Sequence, residues 1–314
     1  MNNPRTLAIL TVVFWSFSST LARMLSFSSP YLLFCLSFLF ALIIYLFYAQ
    51  RTYHKDLIKK LKTIPFRYFV IGLFGYYAIW LGNTESFLSY NSASETTVLN
   101  YTWLIFTVVF SQLMFRDQSK KQAALIPAYT GLLLCFISVY ILASGGSTGF
   151  FKFRNTHGLL WGLGGGMAYG FFSAYSSKVR KEDHPLFLIA ALSSSLIAML
   201  ITFLLKNPMP LKVLAGITLH DILFAFAMGV LVDALGYIMW TRSLRLARVK
   251  KIDVSKIASI IFVLPALSLL IVSLVFSEPT ILKGYFLLSL LFLLAGIWMT
   301  QKSESIARYF NTGM

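Results

Sequence analysis

Long apolar runs separated by short charged, polar or Pro/Gly breaks recur along the whole chain. A bilayer core about 30 Å thick needs roughly 20 such residues per helix. Ten runs meet that length, at 6–24, 30–49, 67–89, 94–114, 122–143, 158–177, 185–205, 221–241, 257–277 and 284–300. Short alternating segments of the barrel kind are absent, so helices are the only way for the backbone to satisfy itself in lipid. The pattern predicts an all-α integral membrane protein with ten transmembrane helices. The first run follows a lone Arg5 and lacks a small-x-small cleavage site, and nine more runs come after it, which predicts an uncleaved helix and not a signal peptide. The connecting loops are too short to hold a soluble catalytic or nucleotide-binding domain.

Composition agrees. Hydrophobic residues make up 58% of the 314 and charged residues 12%, against roughly 25% charged in an average soluble protein. Mean hydropathy is +0.75. A net charge of +16 in a soluble chain would suggest nucleic acid, but here its distribution reads as topology. With the N-terminus in the cytoplasm, 21 of the 27 Lys and Arg fall on the inner side, and the outer side keeps Arg23, Lys152, Arg154, Lys206, Lys212 and Lys283. The expectation is a multi-pass protein of the cell's inner membrane with both termini cytoplasmic. The basic stretch from Arg242 to Lys256 fixes that topology and touches anionic lipid heads. The expected partners are the bilayer and a small-molecule substrate, with no nucleic acid. Cys35 and Cys135 both lie inside apolar runs and are expected to be packing residues.

Five runs precede residue 145 and five follow 157, which invites comparison of residues 1–145 with 146–314. Pro30 and Pro185 each open the second run of a half. Phe115-Arg116-Asp117 and Phe276-Ser277-Glu278 each close the fourth, an offset that sets Leu104 opposite Pro265. Because five is odd, the second copy enters from the opposite side, giving two inverted five-helix repeats. Repeats of this kind mark secondary transporters with a substrate site near the midplane.

The ten-span layout, Pro265 followed by Phe276-Ser277-Glu278-Pro279-Thr280, and the stretch from Gly158 to Tyr169 together resemble the drug/metabolite transporter superfamily, EamA type. Within it, Ala93-Ser94-Glu95-Thr96-Thr97-Val98-Leu99-Asn100-Tyr101-Thr102-Trp103 is similar to the Asn-Tyr-x-Trp segment of bacterial aromatic amino acid exporters. The Pro that usually follows that Trp is Leu104 here, and the acidic residue ending the fourth span is Asp117 behind Arg116. The resemblance implies export or exchange of a small metabolite, with aromatic or other neutral amino acids as substrate. It also implies a central cavity lined by spans one, three, four, six, eight and nine.

One face of the fourth span collects Thr96, Asn100, Trp103, Thr107 and Ser111 at helical spacing. Such a stripe either lines a cavity or bonds to neighbouring helices. At the same depth lie Trp15, Tyr76, Tyr77, Trp80, Tyr169, Asp233 and Tyr237. Together with Asn100 and Trp103 they are the expected substrate-binding set, suited to an aromatic ring or a cation. Trp161 and Trp240 fit either the interfacial belt or the cavity. Asp233, alone in an apolar span, is the expected holder of a proton or a ligand's amine, with a salt bridge or hydrogen bond inside the bundle as the other reading. Glu85 and Glu95 flank the outer hairpin near Arg23, and either close an outer gate by ion pairing or stay solvated. Pro265 removes a backbone hydrogen bond in mid-span, where a kink can absorb rocking. The glycines 158, 162, 166 and 170 form either a packing face or a hinge.

Other chemistries find no footing. Gly145-Gly146-Ser147-Thr148-Gly149 lacks the Lys-Ser/Thr that follows in a phosphate loop. His54, His157, His184 and His220 are expected in loops, without metal-ligand spacing to Cys or carboxylates. No catalytic residue, metal or cofactor is implied. The remaining competitor is a membrane-embedded enzyme acting on a lipid or lipid-linked group, with Asp233 as base.

Overall fold

A computed structural model describes residues 3–24, 29–90, 93–114, 124–147, 155–277 and 284–312; the side chains of 22–23, 93–94 and 310–312 fall outside that description. Arg116, Asp117, Glu278, Pro279 and Thr280, used above in comparing the halves, lie outside the described residues, as does the side chain of Arg23.

Among the described residues every regular element is helical. Seven stretches are long and apolar enough to cross a membrane: Pro30–Lys62, Glu95–Met114, Leu125–Ala143, His184–Lys206, Leu219–Val249, Val254–Val275 and Gly284–Gln301. At most half of each apolar window is buried inside the protein. The remainder faces outward with side chains such as Phe47, Ile126, Leu205 and Trp298, an apolar belt that water would not tolerate and hydrocarbon would. The chain is a multi-pass membrane protein.

The other three expected spans are helical too, and local chemistry shows why they miss that hydropathy or length. The first is α1 (Pro4–Ser16) and α2 (Ser18–Met24), separated at Phe17. The third is α5 (Phe66–Gly72), a π-helical segment (Leu73–Tyr77) and α6 (Ala78–Tyr90). The sixth is α9 (Thr156–Ser176), continuous but diluted by glycine. The second is α3 (Pro30–Tyr53), followed by the short α4 (Leu57–Lys62). The fourth is α7 (Ala93–Met114), the fifth α8 (Leu125–Ala143) and the seventh α10 (His184–Lys206). After the short α11 (Pro210–Ala215), the eighth runs as α12 (Leu219–Ala227), a second π-helical segment (Met228–Gly236) and α13 (Tyr237–Val249). The ninth is α14 (Val254–Ile261) and α15 (Leu264–Val275), with Pro265 in the first turn of α15 just past the break at Phe262 and Val263. The tenth is α16 (Gly284–Gln301), and α17 (Ser303–Thr312) follows it. Lys256 holds α17 in place through an ion pair to Glu304 at 2.7 Å.

The helix starts carry ordinary signals. The Asn3 side chain accepts from the Arg5 N–H at 3.0 Å, with Pro4 in the first turn. Pro30 and Pro185 occupy the first turns of α3 and α10. Thr218 and Asp221 form a capping box on α12.

Neighbouring helices pair as follows. α8 packs on α16 and α3 on α10. α9 packs on α6 and α7, while α1 packs on α13 and on α14 and α15. α10 meets α5 and the first π segment, and α3 meets α12 and the second. The glycine face of α9 is used for close packing. A Cβ on Gly162, Gly166 or Gly170 would come within 2.5–2.8 Å of Leu99, Thr102 or Phe106 on α7. One on Gly158 would meet Tyr90 and Ser89 on α6. Cys35 and Cys135 are buried and unpaired with each other.

Candidate solute site at the bundle centre

The two π segments meet at the centre. A π turn widens the helix by one residue and shifts which side chains face inward. The first segment turns Tyr76 toward the second, where its hydroxyl donates to the backbone carbonyl and to Oδ1 of Asp233, each at 3.1 Å. From α3, Tyr45 donates to the same carbonyl at 2.7 Å. A π turn leaves this carbonyl short of its usual partner, and two tyrosines supply donors. Asp233 is fully buried; Ser37 of α3 bears on its carboxyl, although Oδ2 makes no hydrogen bond of normal geometry. A buried polar atom without a partner is uncommon in a folded protein.

Aromatic rings surround this carboxyl. Tyr237 lies tilted against Tyr76 at 4.3 Å and meets Trp15 at 5.2 Å and Tyr169 at 5.7 Å. Trp103 stands edge-on to Tyr169 at 4.9 Å, to Trp240 at 5.3 Å and to Trp15 at 5.9 Å. All six side chains are buried. Polar tips hold the rings in place: Trp15 Nε1 donates to the Val232 carbonyl at 3.0 Å, and Trp240 Nε1 to Ser173 Oγ at 3.1 Å. Gly236 makes room for the first of these, since a Cβ there would lie 2.2 Å from Trp15 Nε1.

The structure therefore brings Trp15, Tyr76, Trp103, Tyr169, Asp233 and Tyr237 into one cluster. Trp240, for which a place in the interfacial belt was open, is fully buried within it. Thr96, Trp103, Thr107 and Ser111 are buried as well, so their stripe faces inward, with Thr107 donating to the Trp103 carbonyl at 2.8 Å. Asn100 lies on the same stripe and its buried Oδ1 has no partner. Tyr77 sits outside the cluster, and Trp80 stands at its edge, bearing on the Tyr237 hydroxyl. Tyr77 shares a hydrogen bond with Thr202 of α10 at 2.6 Å, and Trp80 packs on Phe34 of α3 at 4.6 Å. The rings fill the centre by touching one another, so the expected open midplane cavity is closed here. Two cavities lie to the side: one of about 420 Å³ bounded by Ala78, His157, Leu160, Trp161 and glycines 164 and 165, and one of about 160 Å³ between Tyr77, Glu85, Thr202 and Lys206.

At that end of the bundle Glu85 is not solvated, and it is ion-paired. Its side chain is 8% exposed and pairs with Lys206 of α10 at 2.9 Å, while Tyr31 donates to Oε1 at 2.7 Å. Glu95 stands in the first turn of α7, half-buried. The histidines also depart from expectation: none lies in an irregular loop. His157 and His220 sit in the first turns of α9 and α12, His54 begins a short 3-10 turn, and His184 begins α10. His184 is fully buried, 2.8 Å from Thr241 Oγ1 and 3.4 Å from the Tyr48 hydroxyl. Sequence reasoning passed over Tyr45, Tyr31 and Lys206 as partners. Tyr45 offers no signal beyond being a hydroxyl in an apolar run, and the partner of Glu85 is 121 residues away along the chain.

Fold and site define a multi-pass helical membrane protein with a buried aromatic centre. Residues 5–144 match the EamA-like transporter family, and residues 134–225 match the transmembrane proteins 14C family. A relative described as an uncharacterized transporter, from Clostridium kluyveri, is 24% identical over 280 residues, covering 86% of this chain and 84% of its own. A crystal structure superposes with a TM-score of 0.76 over 98% of both chains at 17% identity, a likeness of fold. The family match falls on the first half of the chain, and together with the transporter-named relative it likens this protein to EamA-type transporters.

Proposed function

We propose that the protein is a secondary transporter of the inner membrane that moves a small organic metabolite by alternating access, with export or exchange of aromatic or other neutral amino acids as its activity. The observation that carries this reading is the ring cluster around Asp233, assembled from the first, third, fourth, sixth and eighth helical segments. A planar ring can replace ring-to-ring contacts at little cost, and an ammonium group matches the unpartnered Oδ2 and the aromatic faces. Asn100 Oδ1 offers a second acceptor.

The ten segments act as two inverted five-helix repeats, residues 1–145 and 146–314, related by a pseudo-two-fold axis in the membrane plane. Exchanging each segment for the one five places along turns several of the observed pairings into one another. The third-on-sixth and fourth-on-sixth contacts become eighth-on-first and ninth-on-first, and third-on-seventh becomes eighth-on-second. The π segments fall in the third and eighth spans, at corresponding places in the two halves. Tyr76 links the two π segments across the halves, rocking of one half on the other would part the rings there, and the break beside Pro265 gives the ninth span a place to bend. Asp233 takes up a proton in one of the two states and couples the cycle. At the outer end the Glu85–Lys206 pair closes the path, with Arg23 and Glu95 at the same end.

The test is solute movement in sealed proteoliposomes. Accumulation or exchange that vanishes when the vesicles are made leaky supports transport. Product formed in detergent, with no second compartment, would favour chemistry on a lipid and contradict it.

A further inference from the structure

α13 ends in a cluster of arginines at the end of the bundle opposite Glu85. Arg245 is 8% exposed, and its Nη1 is buried without a hydrogen-bond partner. One turn earlier, the half-buried Arg242 likewise has an unpartnered, buried Nε. Neither forms an ion pair among the described residues. The exposed Arg248 differs, since its Nη1 donates to the Ser177 carbonyl at 3.4 Å.

Among the described residues the surroundings supply no ion-paired counter-charge. Thr241, one turn from Arg245, donates its hydroxyl to the Tyr237 carbonyl at 2.7 Å, so it accepts from His184 Nε2–H. Nδ1 lies 3.4 Å from the Tyr48 hydroxyl. Both guanidiniums bear on this ring electrostatically. Glu182 acts on Arg245 only from a distance. A guanidinium taken out of water without a partner is costly, and a fold keeps one when something answers its charge. The fork of donors on Arg fits the paired oxygens of a carboxylate or phosphate. The carbonyl end of α13 opposes an anion with about half a charge, which two full positive charges outweigh.

We infer that Arg242 and Arg245 form a binding site for an oxyanion, a phosphate or carboxylate group carried by a lipid head or by a soluble anion. The site is separate from the aromatic centre and does not depend on the transport reading.

The experiment uses the full chain in phosphate-free detergent and reads its melting temperature. Sodium phosphate is compared with sodium chloride at equal ionic strength, and short-chain phosphatidylglycerol with phosphatidylcholine of the same chain length. Phosphate or phosphatidylglycerol should raise the melting temperature of the wild type and of Arg248→Gln, and the rise should vanish in Arg245→Gln. A response to phosphate alone assigns a soluble anion, and to phosphatidylglycerol alone a lipid head. Without either anion, Arg245→Gln should melt at or above the wild type, because an unanswered buried charge has been removed. No rise in the wild type, a rise that persists in Arg245→Gln, or an anion-free Arg245→Gln that melts well below the wild type would each overturn the proposal.

Discussion

The hydroxyl of Tyr76 holds Asp233 by two bonds of 3.1 Å, one to the backbone carbonyl and one to Oδ1, and so ties the π segment of the third span to that of the eighth. Tyr76→Phe keeps the ring packing and removes both bonds. Leaving a buried acceptor short of a donor costs about 1–3 kcal/mol. The variant should therefore unfold at lower temperature than the wild type, and an unchanged melting curve would show that the two bonds are not holding the segments together.

Asp233→Asn preserves the size of the side chain and its acceptor for Tyr76, but cannot exchange a proton. Solute movement by the wild type should respond to an imposed pH gradient, whereas the variant, if it still moves solute, should be indifferent to it. Equal responses in the two proteins would remove Asp233 from the coupling role.

Gly236 exists in this position for the sake of Trp15. An added Cβ 2.2 Å from Nε1 forces the indole or the helix to move, and overpacking of this kind costs about 1–3 kcal/mol. Trp15→Phe, by withdrawing the clashing ring edge, should recover part of the loss in Gly236→Ala. Stability measured across the double-mutant cycle should be non-additive by more than about 0.5 kcal/mol; strict additivity would mean that the two residues are not in conflict.

The Glu85–Lys206 pair is lopsided, with side-chain exposures of 8% and 52%. Removing the lysine strands a buried carboxylate, while removing the glutamate frees an ammonium that water can reach. Lys206→Gln should destabilise the protein by about 1 kcal/mol or more beyond Glu85→Gln. The reverse order in chemical denaturation would show that Glu85 is hydrated.

Seven of the helical segments were legible because apolar length decides them, and the inward stripe of α7 because the 3.6 period holds across it. The interruptions were not. Regular periodicity places Asp233, Tyr237 and Trp240 on one face, but the π turn ends just before Tyr237, so Asp233 bonds to Tyr76 while Trp240 reaches Ser173. Tyr45 was missed because it comes from the second span, outside those that the family resemblance assigns to the cavity. Glu85 looked solvated, and His184 and Arg245 looked like loop residues, because their burial is created by helices far away in sequence. Their partners, or the absence of partners, belong to tertiary structure alone.

Trp103 touches Trp15, Tyr169 and Trp240 at once, so it stands on any solute path through the centre. The most direct measurement is uptake of labelled tryptophan, phenylalanine and leucine by proteoliposomes holding equal amounts of folded wild type or Trp103→Ala. The wild type should accumulate or exchange at least one of the three, and the variant should fall at least tenfold. A variant that moves the same solute at the wild-type rate, or a wild type that moves none of the three, would contradict transport of these amino acids through the aromatic centre.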